Sequence, residues 1–388
     1  MRPFFRRTGS WTVGILLVFF QEAAATEWSL EPSMSLKGQY EDNPTFIAEH
    51  HPAAGVTLSP ALKFEAQTEP LDLQGSFLLN VIRYPTEQDL NRTDQYYTLS
   101  GLYTRERNSW GLQGSYTQDQ TLSTELSQTG KVLTWSRRDY YAVDPKWIHA
   151  LTETITLQAD YTFSAAHYFE PTLINYQNQQ GTIQAQYKFS ERDQSTLSSY
   201  YTSYRALTVV SRSFEYGARI GLTHHFSETF EADANVGTRN TTSKIETALY
   251  EFHDRERGWV GDLKMEKDLE TLLLRGGFTR ETEPSGSGYV ILVNHPYFFV
   301  RKNMTTTLSA SLILDLYLDH PVLTGGKIPD SRYVRVEQRW DWQWTERWSL
   351  GASYIYQEQK EYNTSIKPFS NTVYLITTYT GQKIAISR

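Results

Sequence analysis

Nine histidines, no cysteine and a set of charged residues spaced two apart are the side chains that could carry chemistry in this chain of 388 residues. Disulfides and thiolate metal centres are excluded at once. No two histidines stand four apart; His224 and His225 would point to opposite faces of one strand, and His50-His51 lie in a polar stretch beside Pro52. A hydrolytic barrel would need Ser, His and Asn or Asp converging on its outer wall. No Gly-x-Ser-x-Gly, His-Glu-x-x-His or Gly-rich phosphate motif supports that. The expectation is a protein that is not an enzyme and uses no metal or cofactor.

The charged residues are more informative, because they alternate with apolar ones. Between Val334 and Trp344, Val334, Val336, Gln338, Trp340, Trp342 and Trp344 share one face, while Arg335, Glu337, Arg339 and Asp341 share the other. Asp315 and Asp319 oppose Leu314, Leu316 and Leu318 in the same way. Glu215 and Arg219 oppose Phe214, Tyr216, Ala218 and Ile220, and Glu231, Asp233 and Arg239 oppose Phe230, Ala232, Ala234 and Val236. A helix turning 100° per residue would scatter the charges among the rings; a strand separates them. Each run is about ten residues, the length a tilted strand needs to cross a hydrocarbon layer roughly 25 Å thick.

Short polar turns divide these runs. Thr152-Glu153-Thr154, Ser190-Glu191-Arg192, Ser227-Glu228-Thr229, Glu270-Thr271 and Thr345-Glu346-Arg347 place their glutamates 38, 37, 42 and 76 residues apart. Lys302-Asn303-Met304-Thr305 fills the doubled interval, and Glu106-Arg107-Asn108 and Thr68-Glu69-Pro70 continue the series upstream. Longer polar connections lie between them: 41–55, 85–93, 119–130, 284–288, 322–331 and 358–370. Eight tight turns make nine hairpins, hence about 18 antiparallel strands, within a range of 14 to 18. A β-propeller also repeats near 40 residues, but it fits four short strands into that length and buries both faces. Peptide groups in lipid need partners, so a spanning sheet must close. The expected fold is therefore all-β, a transmembrane antiparallel up-and-down barrel with the tight turns at the periplasmic rim. Phe226 and Phe230 flank one turn, and Trp344 and Trp348 another, as an interfacial aromatic girdle would.

Composition agrees. Aromatic residues make up 14% of a chain whose mean hydropathy is only −0.52, so the apolar mass is concentrated in rings. Arg2, Arg6 and Arg7, then an apolar stretch from Trp11 to Phe20, then Ala23-Ala24-Ala25, predict a signal peptide over residues 1–25 and a single barrel domain over 26–388. The remaining chain would carry a net charge of −9, unsuited to nucleic acid. No later stretch is long and apolar enough for a helical span.

The segments Tyr40-Glu41-Asp42-Asn43-Pro44, Arg107-Asn108-Ser109-Trp110 with Gly114-Ser115-Tyr116, Glu125-Leu126-Ser127-Gln128-Thr129-Gly130 and the repeated Ser/Thr-Glu-Arg/Thr turns together resemble a largely uncharacterised family of bacterial outer-membrane β-barrels encoded near exopolysaccharide or exosortase gene clusters. The resemblance implies an outer-membrane barrel connected with polysaccharide. One feature departs from it: such barrels commonly end on an aromatic residue, whereas this chain ends Ile384-Ala385-Ile386-Ser387-Arg388, leaving Tyr379 as the aromatic that could close the last strand.

Barrels of 16 to 18 strands are wide enough for an aqueous lumen, and no segment is left over for a plug domain. The expected function is a porin-like channel for hydrophilic solutes or an exported polysaccharide. The alternative is a non-conducting structural or interaction barrel partnering a periplasmic export assembly, with Asp42-Asn43-Pro44 and the 119–130 loop as contact or lid segments rather than ordinary solvated loops. Glu215, Arg219, Glu231, Asp233, Arg239, Asp315, Asp319, Arg335, Glu337, Arg339 and Asp341 are the candidate lumen wall. Both signs alternate on single strands, which predicts a solvated, self-paired wall; a sharper possibility is a constriction where Arg335 and Arg339 face acids on a neighbouring strand. Inward rings such as Tyr200, Tyr204 and Tyr317 could stack on sugar faces.

Overall fold

The computed structural model describes residues 27–131, 134–207, 210–246, 251–322, 330–362 and 367–387. The expected signal peptide, residues 1–25, lies outside them. The alternating runs form strands β1 (Glu27–Glu41), β2 (Ala53–Gln67), β3 (Leu71–Arg83), β4 (Arg92–Arg105), β5 (Asn108–Gln120) and β6 (Arg137–Ala150). They continue as β7 (Ile155–Tyr168), β8 (Tyr176–Lys188), β9 (Asp193–Ala206), β10 (Val210–Ser227), β11 (Phe230–Glu246) and β12 (Glu251–Leu269). The last third supplies β13 (Leu272–Pro284), β14 (Val290–Asn303), β15 (Leu308–Pro321), β16 (Ser331–Gln343), β17 (Trp348–Glu361) and β18 (Phe369–Thr380). Each strand pairs antiparallel with the next, and β1 closes the sheet on β18, from Ser33↔Thr380 to Glu41↔Thr372. The fold is a closed eighteen-stranded meander. Its strands run 12 to 19 residues rather than about ten, because polar residues extend the ladders beyond the apolar band at both ends.

All eight expected tight turns lie at one rim, and the local chemistry explains their sequence. The Thr152 hydroxyl accepts from the Ile155 N–H at 2.9 Å, Thr305 does the same for Leu308 at 2.9 Å, and Thr345 for Trp348 at 3.1 Å. A hydroxyl three residues before the next strand replaces the missing ladder partner and fixes the reversal. At the opposite rim the six expected longer connections are joined by three more, after β7, β9 and β11.

The last strand does not stop at Tyr379. A short segment, β19 (Ile384–Ser387), pairs with the start of β1 from Leu30↔Ile384 to Glu27↔Ser387, one residue out of step with β18. The slip falls opposite Pro32, which has no N–H to give; the Gly381 N–H instead donates to the Pro32 carbonyl at 2.7 Å. A bulge is the expected outcome of a proline in a ladder.

The convex face is apolar and open. Ile183, Leu197, Ile220 and Leu375 are 61 to 69% exposed, a surface that water would not tolerate over a whole molecule and that a hydrocarbon layer would cover. The buried apolar clusters lie not between packed layers but inside the barrel, where connections from the long-loop rim fold inward.

Candidate functional site, a loop-bridged lumen

The connection between β5 and β6 does not arch outward into solvent. It enters the barrel and carries a five-residue helix, α1 (Glu125–Thr129). Gly130 ends that helix at φ +70°, its N–H donating to the Leu126 carbonyl at 2.8 Å. A Cβ at Gly130 would stand 2.2 Å from the Tyr317 Cβ, so both the left-handed backbone and the close approach demand glycine. Leu126 is buried against Ile291, Val293, Tyr317 and Tyr333, with Phe46, Leu122 and Tyr289 packed around. The Tyr317 hydroxyl donates to the Ser127 carbonyl at 2.5 Å. Tyr317 is on β15, and β5–β6 and β14–β15 stand nine strands apart in a ring of eighteen. The loop therefore crosses the full diameter of the lumen.

A buried ion cluster holds the root of this bridge. Arg138 on β6, 1% exposed, pairs with Asp119 of β5 at 3.4 Å and with Glu125 of α1 at 3.8 Å. The Thr124 hydroxyl donates to Asp119 and receives a bond from Arg138. Glu125 also accepts the Gly286 N–H at 3.2 Å. Burial pushes the Glu125 carboxyl above the usual carboxylate range, and the Arg138 guanidinium opposes the shift. At the far end Lys131 reaches Glu361 of β17 at 3.9 Å.

A second element leans in beside it. β12 and β13 pair only from Leu269↔Leu272 to Gly261↔Arg280, yet β13 and β14 stay paired to Pro284↔Val290. Above Arg280 the β13–β14 hairpin leaves the wall and rests on the inner faces of β8–β10. Arg219 pairs with Glu281 at 2.8 Å, the Thr282 hydroxyl donates to Glu215 at 2.9 Å, and Val290 and Leu292 join Tyr176, Tyr204 and Ala206 in one cluster.

All eleven candidate wall residues lie on the inner face, and most are bonded to other wall groups. Glu215 also accepts from Tyr200 at 3.2 Å and Thr241 at 2.9 Å. Arg239 pairs with Glu256 and donates to Thr241 at 2.9 Å. Asp233 accepts from Thr223, Glu231 meets His225 at 3.0 Å, and Asp319 accepts from Ser331 at 3.0 Å. Arg335 faces Asp315 on the neighbouring strand at 3.3 Å and Glu337 on its own, whereas Arg339 pairs with Asp341 on its own strand at 2.6 Å. The wall is self-paired, and the ladder meets a neighbouring strand's acid only at Arg335. Phe226 and Trp344 are exposed at the turn rim; Phe226 stacks on Phe230 at 4.7 Å and Trp348 packs on Tyr379 at 5.0 Å.

The inward rings are not free for sugars. Tyr204 and Tyr317 are 1% and 6% exposed beneath the two inserted segments, and Tyr200 is 5% exposed against Glu215. Nor is the 119–130 stretch a solvated loop: it lies within the lumen. Arg138 was passed over by sequence reasoning, and Asp119, Glu125 and Leu126 were named there only within a loop and a resemblance, not as a buried cluster. The available signal was Leu122, Leu126, Val132, Leu133 and Trp135 standing in a connection of otherwise mostly polar residues between two oppositely charged strand ends.

The bridge leaves space on both sides. A cavity of about 510 Å³ lies between it and the wall from β16 through β18 to β4, lined by Lys37, Gln39, Arg92, Arg335, Gln357 and Tyr374. A second, about 330 Å³, is bounded by Ser127, Lys264, Glu281, His295 and Tyr317.

No family model and no curated protein matches the chain. Among solved structures it is similar to Acinetobacter baumannii OccAB4, at 10% identity and a TM-score of 0.50, over 92% of this chain and 98% of that one. Pseudomonas aeruginosa OpdK, solved with vanillate, aligns over 92% of this chain and 99% of its own at 10% identity and a TM-score of 0.49. The copper transporter OprC aligns over 86% of this chain and 63% of its own, at 10% identity and a TM-score of 0.43. At these identities the likeness to OccAB4 concerns the fold, a closed antiparallel barrel. With eighteen paired strands, an apolar convex face and a polar interior, the protein is an outer-membrane β-barrel.

Proposed function

We propose that the protein is a channel for small hydrophilic solutes, with residues 1–25 directing export and the bridge at 121–131 forming the constriction. The observation that carries this reading is the polar cavity of about 510 Å³ beside the bridge, inside a wall most of whose charges are already paired. A solute passing there exchanges water for hydroxyls, amides and neutralised ion pairs, so it can enter and leave without a deep well. Of the eleven wall residues Arg335 lines this cavity and the others serve as the polar wall of the rest of the interior, while the rings at Phe226, Phe230, Trp344 and Trp348 sit at headgroup depth. An exported polysaccharide, the other cargo considered from sequence, would need the bridge withdrawn, because α1 and the β13–β14 hairpin together occupy the centre.

The test is reconstitution of the full chain in planar bilayers and liposomes. Discrete conductance steps are expected, with swelling in a pentose and none in a trisaccharide. Silent bilayers containing heat-modifiable, folded protein would favour the non-conducting interaction barrel instead.

A further inference from the structure

Charged groups on the convex face near the long-loop rim are mostly paired. Arg137 meets Asp139 at 3.6 Å, Arg332 meets Glu358 at 2.8 Å, and His320 meets Asp330 at 3.1 Å. One sector is different. On β9, β10 and β12 the exposed residues Arg205, Arg212, Arg255 and Arg257 alternate to the outer face, and among the described residues none of them has an ion-pair or hydrogen-bond partner. The carboxylates of β12 at the same height, Asp254 and Glu256, alternate to the inner face. Register brings the four together: Arg205 is opposite Arg212, Arg212 is opposite Lys244 of β11, and Arg255 and Arg257 stand two and four residues from Lys244's partner His253.

The arginines lie just beyond a row of outward rings. Tyr201 stacks on Phe214 at 6.4 Å, Tyr216 is beside them, and Trp259 carries the Arg280 guanidinium 4.7 Å above its face. Aromatic rows of this kind mark headgroup depth. Each arginine is about 13 to 16 residues from its strand's tight turn. At roughly 2.5 Å of height per residue for a strand tilted about 40°, that is some 33–40 Å, beyond an apolar layer of about 25 Å. Four guanidinium groups without an ion-pair partner among the described residues lie at the depth of lipid phosphates, and guanidinium is the side chain whose forked donors match phosphate oxygens.

We propose that this sector of the convex face, Arg205, Arg212, Arg255 and Arg257, is a binding surface for the phosphate groups of outer-leaflet lipid headgroups. The lipid's acyl chains would lie along the apolar rows of β9–β12 and its phosphates above the rings. Such a lipid would also cover β12 above Gly261, where the wall has parted from β13.

The test uses full-length protein in detergent and bisphosphorylated lipid A as probe, read by native mass spectrometry. Wild type is expected to retain lipid A in preference to a zwitterionic phospholipid. R205Q/R212Q/R255Q/R257Q is expected to lose at least tenfold in affinity, since each basic group near an anionic surface contributes severalfold. Arg137→Gln with Arg332→Gln, which removes arginines already paired, should leave retention unchanged. Heat-modifiability on gels confirms that each variant is a folded barrel. The proposal is overturned if folded quadruple variant retains lipid A like wild type, if wild type does not discriminate against the zwitterionic lipid, or if inorganic phosphate or an acidic polysaccharide competes as well as lipid A does.

Discussion

At the scale of single residues, Arg138 is the group on which the bridge depends most. It neutralises two buried carboxylates, one in the wall and one in the loop. Replacing it with methionine leaves Asp119 and Glu125 without a counter-charge, a change that costs about 3–5 kcal/mol in comparable buried pairs. Urea titration of folded protein in detergent is expected to show that loss, and adding Glu125→Gln should restore part of it. Glu125 gives the site a pH dependence whose sign is fixed. Its carboxyl is raised in the folded protein by burial, so docking the loop favours the protonated form. That contribution is complete below the ordinary glutamate value of about 4.3 and is lost as pH rises through the raised one. Protease cutting within 121–131 is therefore expected to increase as pH rises above the ordinary glutamate range, with the dependence flattened in Glu125→Gln; an unchanged dependence in that variant would assign it to another group. Gly130→Ala should loosen the same loop at every pH, because the added methyl meets Tyr317 and the backbone is left-handed.

At the scale of elements, the strand ladders were legible and the inserted segments were not. Val334 to Trp344 reads as a strand with a wet face because a period of two separates its arginines from its tryptophans, and β16 is built that way. The Ser/Thr-Glu turns were legible for an equally local reason, the hydroxyl that satisfies an N–H at the reversal. Inward folding of 121–131 depends instead on a fit to Tyr317 and Tyr333, about 190 residues away along the chain, and no local pattern encodes that. The same holds for β13: Leu272 to Pro284 reads as one strand, but its upper end abandons β12 for Glu215 and Arg219. A measurable consequence follows for β12. Above Gly261 one of its edges has no ladder partner, so backbone amides pointing that way should exchange with deuterium far faster than those of β11 paired on both sides. Uniform protection along β12 would show that the seam is closed in the membrane.

At the scale of the whole molecule, closure of the sheet, an apolar outside and a polar inside follow from one requirement, that no peptide group meets hydrocarbon unpaired. The sequence carried enough periodicity to count the strands. Its period of two separated a polar face from an apolar one but did not say what the polar face meets, and that face is partly engaged in holding two inserted segments. The central claim is that a bridge across the lumen sets the size of a conducting passage. Single-channel conductance of wild type against a variant with residues 122–134 replaced by a short Gly-Ser linker tests this directly. A severalfold rise in conductance with the barrel still folded is the expected result, while equal conductance, or silence in both, would contradict the account.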